Sequence, residues 1–118
     1  MYLIDTNIWL ERLLDQERTE EVGRFLSGIS SEFLFLTDFT LHSIGIALVR
    51  LGREEALLNF VQDAFIEGSV KIVSVTPDHI EKVVNAVKNY KLDFDDAYQY
   101  VSAEIYGLTI ISFDADFI

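Results

Sequence analysis

Six aspartates carry the chemistry this sequence offers. Asp5 follows the apolar run Tyr2-Leu3-Ile4 and opens into Thr6-Asn7. Asp93, Asp95 and Asp96 crowd one segment, Leu92-Asp93-Phe94-Asp95-Asp96-Ala97, and Asp114 and Asp116 stand in Ser112-Phe113-Asp114-Ala115-Asp116-Phe117. A carboxylate at the end of an apolar strand is costly unless something pairs with it, and no basic residue lies close to Asp5 in sequence. Asp114 occupies the equivalent place after the apolar run Leu108-Thr109-Ile110-Ile111. Two acids at strand C-terminal ends are a cation-site signal, because Mg2+ and Mn2+ prefer carboxylate and water oxygens. An α/β protein gathers such acids in the crevice beyond the C-terminal ends of its strands.

The middle group has a plainer reading. Acids at a helix N-terminus are stabilised by the dipole and free N–H groups by about 0.3–1 kcal/mol each. Asp93 or Asp95 taken singly is as well explained by capping as by catalysis. Asp95 and Asp96 fall on either side of the helix's apolar stripe, so a helical wheel does not choose between them. His42 and His79 each stand alone near a helix start and read as capping or packing residues. The Phe and Tyr residues recur at helical or strand spacing and read as core residues rather than as a base-stacking platform.

The elements that must position these acids alternate between strand and helix. Tyr2-Leu3-Ile4, Val70 to Val75 and Leu108 to Ser112 are short and apolar, as strands covered on both faces must be, and Phe33-Leu34-Phe35-Leu36 reads as a short buried strand or an extended segment. Between them lie helical stripes: Ile8, Trp9, Leu10, Leu13 and Leu14; Val22, Phe25 and Leu26 after a Thr19 cap; Leu41, Ile44, Ala47 and Leu48. Arg53 to Glu67 carries another stripe, closed at Gly68. Thr76-Pro77 opens the next helix, with proline at the first helical position. Asp93 caps the last, which holds Phe94, Ala97, Val101 and Ile105 and stops at Gly107. This alternation predicts a three-layer α/β/α fold around a short, mainly parallel sheet, in a single domain spanning residues 1–118.

Composition sets the outer limits. The chain carries 9 Lys+Arg against 20 Asp+Glu, a formal net charge of −11. After Lys91 it has no Lys, Arg or His at all. Such a surface repels nucleic acid and suits bound cations or a basic partner. Lys88 with Lys91, and Arg50 with Arg53, are where RNA contacts are expected, although a solvated face is the plainer reading. Half the residues are hydrophobic and mean hydropathy is +0.24, a surplus that suits an oligomer interface. No apolar run reaches the roughly 18 residues a membrane helix needs, and no basic leader precedes the first strand. The absence of cysteine excludes disulfides and thiolate zinc sites. A cytoplasmic protein is expected.

The motifs at the two ends, Leu3-Ile4-Asp5-Thr6-Asn7 and Ser112-Phe113-Asp114-Ala115-Asp116-Phe117, with Asp96-Ala97 at a helix start, resemble those of the PIN-domain family. The resemblance covers nearly the whole chain. It implies a Mg2+- or Mn2+-dependent ribonuclease, often a VapC-type toxin, neutralised by a small antitoxin and usually homodimeric. Carried over by position, Asp5, Asp96 and Asp114 are the metal-binding catalytic acids, Asp96 being chosen because it directly precedes Ala97. Asn7, Ser112 and Asp116 support them, and Asp93 joins through a water.

One departure matters. The family places a glutamate early in its third helix; here the matching stretch is Thr40-Leu41-His42-Ser43-Ile44, and Ser43 holds the acid's position. Asp38, more than one turn earlier, is better explained as the N-cap. Ile118 also falls where family members continue into a further edge strand. Three acids are expected to hold one ion with several waters and to support a second poorly, which predicts a weakened nuclease. The competing reading is a PIN scaffold with a degraded site, serving as a protein-binding or dimerisation module. A phospho-acceptor receiver or a phosphatase of the haloacid dehalogenase type is disfavoured. Such sites want a second carboxylate beside or two after Asp5, and a nearby lysine.

Overall fold

The structure is a computed structural model that describes residues 1–113. Its elements run β1 (Tyr2–Ile4), α1 (Thr6–Leu13), α2 (Thr19–Ser27), β2 (Leu34–Thr37), α3 (Asp38–Arg50), α4 (Glu54–Val61), β3 (Lys71–Val73), α5 (Ile80–Tyr90), α6 (Phe94–Tyr106) and β4 (Thr109–Ile111). The four strands form one sheet in the order β3-β2-β1-β4, and every pair is parallel. Each parallel neighbour requires a crossover, which the helices supply. The first strand therefore lies inside the sheet, with Tyr2 opposite both Leu34 and Thr109.

Side-chain alternation along the strands divides the core into two. Ile4, Leu34 and Leu36 point to one face and pack with Ile8 and Trp9 of α1, Val22 of α2, Ile44 and Leu48 of α3 and Phe60 of α4. Leu3 and Val73 point to the other face and meet Ala103 of α6. Val83 and Ala86 of α5 close against Ala97 and Val101 of α6. Both faces of the sheet are thus covered, giving the three α/β/α layers and explaining why the inner strands β1 and β2 are mainly apolar. Fully buried Ile44 and Leu48 each contribute about 1.5–3 kcal/mol by leaving water.

Several element ends differ from the sequence reading, each for a local reason. Thr19 is inside α2 rather than its cap: Arg18 holds the cap position, and Arg12 Nη1 takes up the Thr19 hydroxyl at 3.2 Å. Asp38 is the first residue of α3, not its cap. Thr37 caps the helix, its Oγ1 accepting from Thr40 N at 2.9 Å. The helix from Arg53 stops being α-helical at Val61 and makes one π turn over Gln62–Glu67, with Gly68 N donating to Asp63 O at 3.0 Å. Gly68 is required there, since a Cβ would lie 2.6 Å from Ala64 O.

β3 is only three residues long: Val73 pairs with Thr37, the last residue of β2, and beyond it Val75 N donates to the Tyr98 hydroxyl at 2.9 Å. Thr76 and Pro77 open a 3-10 turn over Pro77–His79, and α5 starts only at Ile80. The Gly107 stop stands as read: the residue adopts left-handed backbone at φ 66° and ends α6.

Candidate functional site

Asp5 is built into the end of β1. Its N–H donates to Ile111 O of β4 at 2.9 Å, and its carbonyl accepts from Ile8 N at 3.1 Å, so the residue ends a strand and caps α1 at once. The carboxylate is held at both oxygens. Oδ1 accepts from Thr6 N at 2.7 Å, and Oδ2 accepts from Ser112 Oγ at 2.6 Å. Asn7 completes the bracket: its Nδ2 donates to Ser112 Oγ and its Oδ1 accepts from Phe113 N, both at 3.4 Å. The capping and functional readings of Asp5 are therefore compatible. Each carboxylate oxygen has two lone pairs, so one hydrogen bond on each leaves acceptor capacity on both.

Beyond the ends of β1 and β2 opens a cleft of about 340 Å³ whose wall includes Asp5, Asn7, Thr40, Ser43, Asp95 and Asp96. The structure thus brings Asp5 and Asp96 to one crevice, as the sequence reading expected. It also separates the pair that the helical wheel left level: Asp96 is half-buried and Asp95 exposed. Asp93 holds the N-cap position of α6, its carbonyl accepting from Ala97 N at 2.9 Å. Its side chain is exposed and makes no capping hydrogen bond. Ser43 is half-buried and lines the same cleft, so no carboxylate reaches it from that turn of α3. Asp38 points elsewhere, its Oδ1 accepting from the Tyr98 hydroxyl at 2.9 Å. His42 is exposed and lies by a different hollow, with Ile46 and Val49. Asp114 and Asp116 lie outside the described residues. Among the described residues no three His, Cys, Asp or Glu side chains gather as a metal-binding group.

The floor of the cleft is a hydrogen-bonded row that the sequence reading missed. Thr6 Oγ1 donates to Thr40 Oγ1 at 3.0 Å, and Thr40 Oγ1 donates to Gln99 Oε1 at 3.4 Å, which ties α1, α3 and α6 together. Thr40 and Gln99 are only 2% and 4% exposed, so these bonds satisfy groups that would be costly to bury unpaired. One signal was available. Thr40 precedes Ile44 and Leu48 at four-residue intervals, a polar residue on an otherwise buried stripe.

The stretch after β4 is also tied from outside. The Arg18 guanidinium sits 4.0 Å from the centre of the Phe113 ring, and Glu21 holds it through two hydrogen bonds of 2.9 and 2.8 Å. A cation over an aromatic face contributes about 0.5–1 kcal/mol at an exposed site.

The donor chemistry suits a hard divalent cation. Asp5 and Asp96 supply carboxylate oxygens, Asn7 and the threonines neutral oxygens, and the cleft has room for an ion that keeps part of its water. Among the described residues no nitrogen or sulfur cluster competes for a softer metal.

Comparison with known proteins agrees with the fold. The family model described as PIN domain matches residues 2–118. No curated protein matches the chain at a significant level. Among solved structures, the chain is similar to VapC20 of Mycobacterium tuberculosis, described as a toxin that cleaves the sarcin-ricin loop. The TM-score is 0.83 at 18% identity, over 99% of this chain and 92% of that one. It is similar to a toxin-antitoxin complex from Klebsiella pneumoniae, with TM-score 0.79 and 21% identity over 99% and 90% of the two chains. FitAcB from Neisseria gonorrhoeae gives a TM-score of 0.70 at 22% identity, covering 99% and 91%.

Proposed function

The chain belongs to the PIN domain family, and on that premise we propose that it is a divalent-metal-dependent endoribonuclease of toxin type. The observation that carries this reading is the meeting of Asp5 and Asp96 at one cleft. Asp114 is proposed as the third acid, from its place after β4. Mg2+ or Mn2+ is the proposed ion; when bound, it would supply a water of lowered pKa and neutralise charge developing on the phosphate.

The chain's own residues have definable tasks. Thr6 N and Ser112 Oγ fix the two oxygens of Asp5 and prevent the carboxylate from rotating away from the cleft. Asn7 orients Ser112 and grips Phe113 N, which sets the direction of the chain just before Asp114. Asp96 supplies the second carboxylate at the N-terminal turn of α6. Asp93 acts at most through a water, and Asp116 is a supporting residue.

The proposed partners are an RNA substrate and a small antitoxin, in line with the toxin-antitoxin complex among the similar structures. A homodimer is the proposed assembly. The exposed Ile46, Val49 and Leu51 on and after α3, with Leu58 on α4, offer it an apolar surface. No helix of the described residues is long and apolar enough to cross a membrane, and the proposed setting is the cytoplasm.

Ser43 favours a second reading, because it faces the cleft where the family's glutamate is expected. On that reading the chain is a scaffold that docks partners and no longer cleaves. Calorimetric titration of Mn2+ into the wild type and Asp96→Asn, followed by incubation with mixed single-stranded RNA, separates the two. Binding and cleavage that both require Asp96 support the nuclease. Binding without cleavage supports the scaffold, and an absence of binding removes the metal site altogether.

A further inference from the structure

Three aromatic rings stand in a row beside the acid cleft. Tyr98 is in the middle, 8% exposed, with its hydroxyl fixed on both sides: it donates to Asp38 Oδ1 and accepts from Val75 N, each at 2.9 Å. Phe39 packs on one side of it, with ring centres 6.0 Å apart, and Phe94 on another at 6.2 Å. Phe39 lines the cleft itself, and Phe94 directly precedes Asp95 and Asp96, which line it too. Yet Phe39 is 39% and Phe94 50% exposed. Single exposed apolar residues need no explanation. Two rings braced on a third, at the mouth of the candidate site, are a different matter.

From this placement we infer that Phe39 and Phe94 form a stacking platform for unpaired nucleobases of a single-stranded RNA whose backbone passes the acid cleft. The inference rests on the nuclease reading and names its substrate class. Bases of a duplex are stacked on each other and offer no free face, whereas splayed single-stranded bases stack on aromatic side chains. Stacking needs no positive charge, which matters for a chain with a formal net charge of −11. No Lys, Arg or His follows Lys91 in the sequence. Lys91, three residues before Phe94, is exposed and makes no ion pair among the described residues. Binding through bases rather than phosphates should therefore depend only weakly on salt, with a slope near −0.7 in the log–log plot for about one phosphate contact.

The test uses a short single-stranded RNA and its counterpart with an abasic site at each central position. Affinity is read by fluorescence anisotropy with Ca2+ in place of Mn2+, to hold chemistry off, and cleavage is read separately with Mn2+. Phe39→Ala and Phe94→Ala should each weaken binding of the intact RNA by about 5- to 150-fold. They should leave the already weak binding of the abasic RNA unchanged. Phe39→Trp and Phe94→Trp should restore affinity, which a fold defect would not allow. If the wild type cleaves RNA while both alanine variants bind both oligomers as it does, the platform is overturned and the nuclease reading survives. Ring-dependent and base-dependent binding without any cleavage keeps the platform and overturns the nuclease. Binding of neither oligomer to the wild type overturns the platform.

Discussion

Ser112 donates a 2.6 Å hydrogen bond to Asp5 Oδ2 across 107 residues of sequence. The bond joins the ends of two neighbouring strands, β1 and β4, and settles how the Asp5 carboxylate is turned. A group that orients a metal ligand typically changes affinity about 10- to 100-fold when removed. Ser112→Ala should weaken Mn2+ binding by that range in calorimetric titration while leaving Asp5 in place. Unchanged affinity would mean that Thr6 N alone orients the carboxylate.

Ser43 gives the opposite kind of experiment. Ser43→Glu adds a carboxylate to a cleft already lined by Asp5 and Asp96. Without metal, like charges brought together should lower the melting temperature. With Mn2+ present the sign should reverse. Binding should become about tenfold tighter, equivalent to about 1.4 kcal/mol for one more charged ligand, and RNA cleavage should rise. A variant that is destabilised equally with and without Mn2+ would show that position 43 does not reach the ion.

Tyr98 of α6 links α3 to the segment that follows β3 through one hydroxyl. Tyr98→Phe leaves Val75 N without its acceptor and Asp38 Oδ1 without this donor, and should cost about 1–3 kcal/mol in urea unfolding. The pH dependence follows from the ionisation of the phenol. Burial pushes its pKa above the usual 10, the Val75 N–H pulls it back, and the hydrogen bond and charge of Asp38 raise it again. The neutral form is favoured in the folded state, so the stabilisation is complete below pH 10 and is lost as pH rises through the folded-state value. Between pH 10 and the folded-state value the wild type should lose more stability than Tyr98→Phe. Parallel loss in the two proteins would assign the alkaline transition to other groups.

Much of this arrangement was legible from the residues. The Tyr2-Leu3-Ile4 run, with Asp5 after it, reads as a strand end, and β1 ends there with Asp5 capping α1. Gly107 marked the end of α6 through its left-handed backbone. What was not legible depended on partners far away in sequence. The hydroxyl of Thr19 reads as a cap until Arg12 is seen to occupy it. Val75 reads as strand until Tyr98, 23 residues on, takes its N–H. Phe39 and Phe94 have the spacing of core residues, and only the packing of α3 against α6 shows that their rings stay outside. Asp95 and Asp96 differ by burial alone, which a helical wheel does not contain.

The sheet order β3-β2-β1-β4 carries a consequence for the newly made chain. Among the described strands, β1 waits for β4, the last of the four in sequence, before its second edge is paired. At about 5–20 residues per second, the interval between Asp5 and Ser112 is about 5–20 s. Closing so long a loop also carries an entropic cost on the order of 4 kcal/mol, met only once β4 docks. Throughout that interval Asp5 lacks both the Ile111 carbonyl and the Ser112 hydroxyl that hold it. The Asp5 side of the crevice is therefore completed only after β4 and Ser112 have been synthesised.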